Sequence, residues 1–278
     1  MSFSPEWLAL REPVDHRSVN ADLAARVSQW FDGPDHISVM DLGCGAGSNL
    51  RGTYKLFGNS QHWTLVDYDP VLLTSARTRL AAWADEAEEV GEELLLVKDG
   101  KRLMVDFRQA DLDTDLERVL DWRPDLVTAA ALFDLVSPRW IARFVAALQA
   151  RKLPLYTVLT YDGREVWQPA HPQDAAMVAA FHAHQHSDKG FGPAAGPDAA
   201  KIMAEAFAQA GYMTQTGDSP WTMDSTDAVL VAALTSGIAN AVRETGRVPK
   251  AGIANWLAAK SAAQQGMVGH LDLFARPV

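Results

Sequence analysis

The sequence predicts a doubly wound α/β sheet with helices on both faces. Three observations predict it. Short β-rich runs alternate with longer helical runs between residues 37 and 160, as successive βαβ units with right-handed crossovers require. Three glycines, Gly43, Gly45 and Gly47, follow directly on the first apolar run. The composition, 48 % hydrophobic and 22 % charged, is that of a globular domain and excludes a disordered, collagen-like or coiled-coil chain.

The elements follow in order. An amphipathic segment, Trp7 to Arg17, precedes a helix expected over 17–31 with Leu23, Val27 and Trp30 on its apolar face. Residues 1–33 thus read as an N-terminal helical cap. Ile37 to Leu42 is a buried strand that runs into the glycines, and a helix follows to about Leu56. His62 to Asp67 is the second strand. Pro70, favoured in a first helical turn, opens a helix through about Glu88. Residues 93–111 read as a hairpin about Asp99-Gly100. Asp125 to Ala130 is a fourth central strand, 138–150 a helix, and Leu155 to Thr160 a fifth strand. Residues 162–197, rich in Gly and Pro from Pro169 onward, read as a lid-like insertion around one short helix. Asp198 caps a helix that ends at Gly211. A strand at 213–216, helices at 225–245 and 250–264, and a strand at 267–275 complete a seven-stranded mixed sheet. Residues 1–278 are read as a single domain.

Charge and cysteine bound the partners. Asp and Glu number 35 against 25 Lys and Arg, a net charge of −10 that repels nucleic acid. The uncharged run Ala228 to Val242 is shorter than the ~20 residues a bilayer requires, so no membrane partner is expected. Cys44 is the one cysteine, which excludes an internal disulfide. The first fifteen residues hold no apolar signal core, and a reducing cytoplasm is the expected location.

The chemistry lies in Val39-Met-Asp-Leu-Gly-Cys-Gly-Ala-Gly-Ser-Asn49. A buried strand delivers three glycines to a strand–helix turn, where glycine permits positive φ and lets a ligand touch the backbone. The N–H groups of the following helix favour an anionic group. The spacing is G-x-G-x-G, with Ser48 where a dinucleotide fingerprint has its third glycine, and no G-K-[ST] follows. A nicotinamide dehydrogenase and a nucleoside triphosphatase are disfavoured accordingly.

Asp41-Leu-Gly-Cys-Gly-Ala-Gly47 resembles the first motif of class I S-adenosylmethionine-dependent methyltransferases, a Rossmann-like family, and the resemblance continues along residues 17–160. It implies a cofactor site in the turn at Asp41, Gly43, Cys44, Gly45 and Gly47. It implies ribose contacts from Asp67, with Tyr68 beside it and Asp69 as the competing helix cap. Asp111 and Leu112 fall where the family meets adenine, with Asp113 and Asp115 as competitors. Ala129 to Leu132, with Ala130, falls where the family places the floor under the methionine moiety. The N-terminal segment implies a roof, from which Arg11 or Arg17 pairs with the methionine carboxylate. Gly269 to Phe274 matches the family's reversed final hairpin. Cys44 is expected to be a small buried side chain, not a nucleophile.

The implied cofactor is S-adenosylmethionine. The implied reaction is in-line methyl transfer to O or N of a small-molecule acceptor, which a dry, aligned pocket accelerates without a fixed base. The catalytic residue is left open. His184 on the insertion (or Gln185 or His186), Asp134 past the fourth strand and Tyr161 past the fifth are its candidates, with Trp221 near them. Trp167, Trp221 and Trp256 are candidate pocket walls, against ordinary core packing. His182, His184 and His186 alternate, which puts only two on one helical face, so no metal site is expected. The [DN]-P-P-[FY] run of nucleic-acid amino-methylating members and a Pro-Cys nucleophile are both missing. A protein or RNA methyltransferase, or a non-catalytic S-adenosylmethionine-binding protein, are the alternatives.

Overall fold

The computed structural model describes residues 3–261, 263 and 265–278. The strands are β1 (His36–Leu42), β2 (Ser60–Asp67), β3 (Glu86–Val90), β4 (Glu93–Lys98), β5 (Lys101–Gln109), β6 (Leu126–Ala130), β7 (Leu155–Gln168), β8 (Tyr212–Asp218), β9 (Trp221–Met223) and β10 (Gln265–Pro277). They form one sheet in the order β3-β4-β5-β2-β1-β6-β7-β10-β8, and β9 pairs with β10. β5, β2, β1, β6 and β7 run parallel, and β10 is antiparallel to both β7 and β8. The expected reversal of the last strand is therefore present.

The helices are α1 (Pro5–Ser18), α2 (Ala21–Trp30), α3 (Ser48–Thr53), α4 (Pro70–Trp83), α5 (Leu116–Leu120), α6 (Pro138–Arg151), α7 (Asp174–Gln185), α8 (Ala199–Gln209), α9 (Ala228–Thr245) and α10 (Lys250–Lys260). They cover both faces. One apolar core joins α1, α2, α4, α7, α9 and α10 to the sheet, and a second joins α5, α6 and α8 to it. Serine and aspartate set several starts: the Ser137 side chain accepts from Trp140 N–H ahead of Pro138, and Asp69 accepts from Val71 N–H ahead of Pro70.

The structure corrects several expectations. The sheet has ten strands where seven were expected. The seven-strand run β5 to β8 is its centre; β3 and β4 lengthen one edge, and β9 is too short to show a period. The helix opened by Pro70 ends at Trp83, not near Glu88, because Glu86–Val90 is β3. Every β3 residue is exposed, so the strand carries no alternating pattern. Its three glutamates give the sheet a charged edge that disfavours pairing with another chain. The fifth strand runs on to Gln168, so the first part of the 162–197 insertion is β7 itself, zipped to β10. The last helix ends at Lys260, short of the expected 264.

The helix expected over 17–31 is broken at Val19-Asn20. The Asn20 side chain caps α2 by accepting from Leu23 N–H (2.9 Å), and its backbone N–H donates to Asp272 Oδ2 (2.8 Å). Asp272, fully buried on β10, also accepts from Leu159 N–H (2.8 Å). One carboxylate thus pins the α1–α2 corner to a kink in β7, where Leu159 has φ +59° and the β7–β10 register shifts. Such shifts re-aim side chains.

Candidate active site

Above the ends of β1, β2, β5, β6 and β7 lies a cavity of about 440 Å³. That volume is in the range of small-ligand sites. Its floor is the glycine turn. Gly43, Gly45 and Gly47 have φ +63°, +53° and +77°, a region costly to residues with a Cβ. A Cβ on Gly45 would lie 2.9 Å from Leu8 of α1, and one on Gly43 would lie 3.2 Å from Leu132. Gly43, Cys44 and Gly45 line the cavity. Gly47 and Asp41 do not; they hold the turn from behind. Gly47 N–H donates to Cys44 C=O, and Asp41 accepts from Asn49 Nδ2 (2.8 Å). Burial, reinforced by Asp67, raises the Asp41 carboxyl to about 7. Burial also raises the Cys44 thiol, as expected for an inert small side chain.

Asp67 closes the turn. Its Oδ2 accepts from Gly45 N–H (2.8 Å) and its Oδ1 from Asp69 N–H (3.0 Å). Each oxygen retains capacity for a second donor. Burial raises the Asp67 pKa against these backbone donors. Tyr68, Asp111, Leu112 and Ala130 line the same cavity. Asp111 Oδ1 accepts from Asp113 N–H (2.9 Å). Leu112 N–H donates to no acceptor among the described residues.

The roof is α1. Arg51 of α3, its side chain buried, forks onto both oxygens of Glu12 (2.6 and 2.7 Å) and fastens α1 over the turn. Arg11 and Asp15 line the cavity as an ion pair (2.8 Å); Arg11 lies 5.0 Å over the Trp221 ring, and Trp221 Nε1 donates to Asp15 (3.0 Å). Of the two arginines weighed for the methionine carboxylate, Arg11 is the one at the cavity wall, with both Asp15 oxygens already on its guanidinium. Arg17 is not: it pairs with Asp227 outside the cavity (2.5 Å). The back wall holds two strained residues, Ala131 (φ +50°) and Leu159 (φ +59°). Positive φ at two non-glycine wall positions is the kind of strain that collects at ligand sites.

None of the three catalytic candidates lines the cavity. His184 pairs with Glu244 (3.1 Å). Tyr161 donates to Glu165 (2.9 Å) and lies 3.2 Å from His182 Nε2. Asp134 is buried between Leu132 and Leu135, which do line the cavity, and its Oδ1 has no hydrogen-bond partner among the described residues; burial raises its pKa to about 7. The alternating histidines diverge, His186 turning to Ala194 C=O. The tryptophans serve packing: Trp167 meets Trp256 edge to face, and Trp221 lies against His270. Lys189, Gly190 and Phe191 of the α7–α8 loop also line the cavity and were not singled out from sequence. The closely spaced Gly190 and Gly192 were the available sign of a shaped loop there.

No family model and no curated protein sequence matches the chain. Solved structures do. A Bacillus halodurans protein described as a methyltransferase superposes with a TM-score of 0.52 at 14% identity, over 93% of this chain and 100% of that one. A cyclopropane-fatty-acyl-phospholipid synthase-like protein from Lactobacillus casei gives 0.50 at 16% identity, over 95% and 98%. The chain has the class I methyltransferase fold. Within that fold the cavity sits at the carboxyl ends of the parallel strands, where open α/β sheets bind ligands.

Proposed function

We propose that the chain transfers a methyl group from S-adenosylmethionine to O or N of a small-molecule acceptor. One observation carries the reading: the glycine turn, Asp67 and the Asp111-Leu112 pair converge on a single cavity. Their chemistry fits the cofactor. The spare lone pairs of Asp67 suit a ribose diol. The Asp111 carboxylate and the free Leu112 N–H suit the two hydrogen-bonding edges of adenine. The backbone of the turn and Arg11 suit an amino-acid carboxylate. When bound, the cofactor supplies an electrophilic methyl group on a sulfonium.

The chain's own residues then have two tasks. Leu8, Leu132, Leu135 and Leu159 exclude water from the reacting atoms. The rigid turn and the clamped α1 hold both reactants in line, and alignment of this kind supplies most of the acceleration. The part of the 162–197 insertion that reaches the cavity, Lys189 to Phe191, serves as its cover. Calorimetric titration tests the reading. S-adenosylmethionine and S-adenosylhomocysteine are expected to bind and NAD not to. Asp67→Ala is expected to weaken that binding by roughly 1.5–3 kcal/mol, the worth of hydrogen bonds to a charged group. Absence of binding to the wild-type protein would refute the reading.

A further inference from the structure

Lys189 stands out among the buried cations. Among the described residues the other buried cations meet carboxylates, Arg51 on Glu12 at 2.6 Å and Lys260 on Asp174 at 3.0 Å, as does the half-buried Arg11 on Asp15 at 2.8 Å. Lys189 is only 7% exposed and lines the cavity, yet no carboxylate lies within ion-pair distance of it among the described residues. Its amine instead meets Ser187 Oγ (2.8 Å) and His184 Nδ1 (3.4 Å). The carboxylate in the vicinity, Glu244, is one imidazole ring away, on the far nitrogen of His184.

The loop is built to hold the amine there. Asp188 Oδ1 accepts from Gly190 N–H (2.7 Å) and Gly192 N–H (3.1 Å), and Ala194 N–H returns to Ser187 C=O. Gly190 and Gly192 take φ +111° and +80° to make the reversal. Phe191 then seats its ring against Trp140 of α6 (5.6 Å). Lys189 is thereby anchored on both sides. Burying an ammonium without a counter-ion is costly, and an anion in the cavity would offset that cost. Burial accordingly pushes the Lys189 pKa down. Phe3, Leu8, Leu135, Leu159 and Phe191 give the cavity an apolar lining, interrupted by Arg11, Asp15, Asp67 and Asp111.

We propose that the acceptor is a small apolar molecule carrying one carboxylate, and that Lys189 holds that carboxylate as the counter-ion missing from the fold. This rests on the methyltransferase reading. The test therefore begins with wild-type protein and S-adenosylhomocysteine: no binding there overturns the methyltransferase reading itself, and the inference with it. The protein saturated with S-adenosylhomocysteine is next titrated with benzoate, hexanoate and 3-phenylpropanoate, and with their primary amides. At least one carboxylate is expected to bind ten times more tightly than its amide. Lys189→Met is expected to remove that preference while S-adenosylhomocysteine affinity stays within twofold. Lys189→Arg, which keeps the charge, is expected to keep the preference. The inference is overturned if no carboxylate binds, if acid and amide bind alike, or if the Met variant keeps the preference. It is equally overturned if both variants lose the preference, which would mark a loop defect. A tenfold loss of S-adenosylhomocysteine affinity in the Met variant would overturn it too, by assigning the amine to the cofactor's own carboxylate.

Discussion

On the β1–β2–β5 side of the cavity, the two carboxylates Asp67 and Asp111 are held by backbone from their own turn or the neighbouring strand end. Asp67 takes N–H groups of Gly45 and Asp69, and Asp111 takes that of Asp113. On the β7–β10 side the ties join distant parts of the chain. Trp221 reaches Asp15 across 206 positions, and Asn20 reaches Asp272 across 252. The first side is a local motif repeated at successive strand ends. The second is an assembly of separate segments around buried polar side chains. Damage to the first should remove a ligand and leave the fold; damage to the second should loosen the fold and remove the ligand as a consequence.

The largest expected effect is on the assembled side. Asp272→Ala strands the buried N–H of Leu159 and the half-buried N–H of Asn20. At about 1–3 kcal/mol for each unsatisfied donor, the loss is roughly 2–6 kcal/mol. Urea denaturation would measure it. A variant within about 0.5 kcal/mol of wild type would show that Asp272 does not join the two segments.

Gly45→Ala addresses the local side. The added Cβ meets Leu8 and must adopt φ +53°. The left-handed conformation costs about 1–2 kcal/mol. Alanine keeps the backbone N–H, but relieving the contact with Leu8 shifts the turn and draws that N–H away from Asp67; S-adenosylhomocysteine affinity is expected to fall by up to about 2–3 kcal/mol, the worth of a charge-assisted hydrogen bond, while the unfolding transition moves less. Equal loss of affinity and stability would erase the contrast between the two sides.

The same contrast explains what was legible. The glycine turn, Asp67 and Asp111 announce themselves because strand, turn and acid lie within a short stretch and their spacing is fixed by one βα unit. The central strands were readable from apolar runs. β3 was not, since all its side chains face solvent and pairing is by backbone alone. Arg11 and Arg17 were indistinguishable by pattern, as six positions on one helix give no sign of which arginine meets Asp15 and which meets Asp227. Lys189 was invisible because its burial depends on where α7, α9 and the loop come to rest.

A smaller effect concerns pH. Asp134 is raised from 3.8 to about 7 by burial, so the fold holds a proton that the unfolded chain has released. That group stabilises the fold below its unfolded pKa, and the contribution is lost as pH rises through about 7. His270, lowered from 6.5 to about 3, acts oppositely: its contribution is present above 6.5 and lost as pH falls toward 3. Asp134→Asn removes only the first term. Relative to wild type, the variant should gain stability between pH 5 and pH 8, of the order of 2 kcal/mol. A constant difference across that range would mean that Asp134 is not held protonated.

Arg17→Ala gives the smallest effect and the cleanest separation. Its guanidinium is half exposed and paired with Asp227. Exposed pairs contribute about 0–1 kcal/mol, so stability should change by no more than that. S-adenosylhomocysteine affinity should stay within about twofold, under 0.5 kcal/mol. Arg11→Ala, by contrast, leaves Asp15 buried without its cation beside the cavity and should weaken binding at least about tenfold, 1.4 kcal/mol. The pair of variants lies on one helix, six residues apart, with the same side chain removed. Any difference between them therefore reports which face of α1 the ligand touches, and equal losses would mean that α1 acts on the site only as a unit.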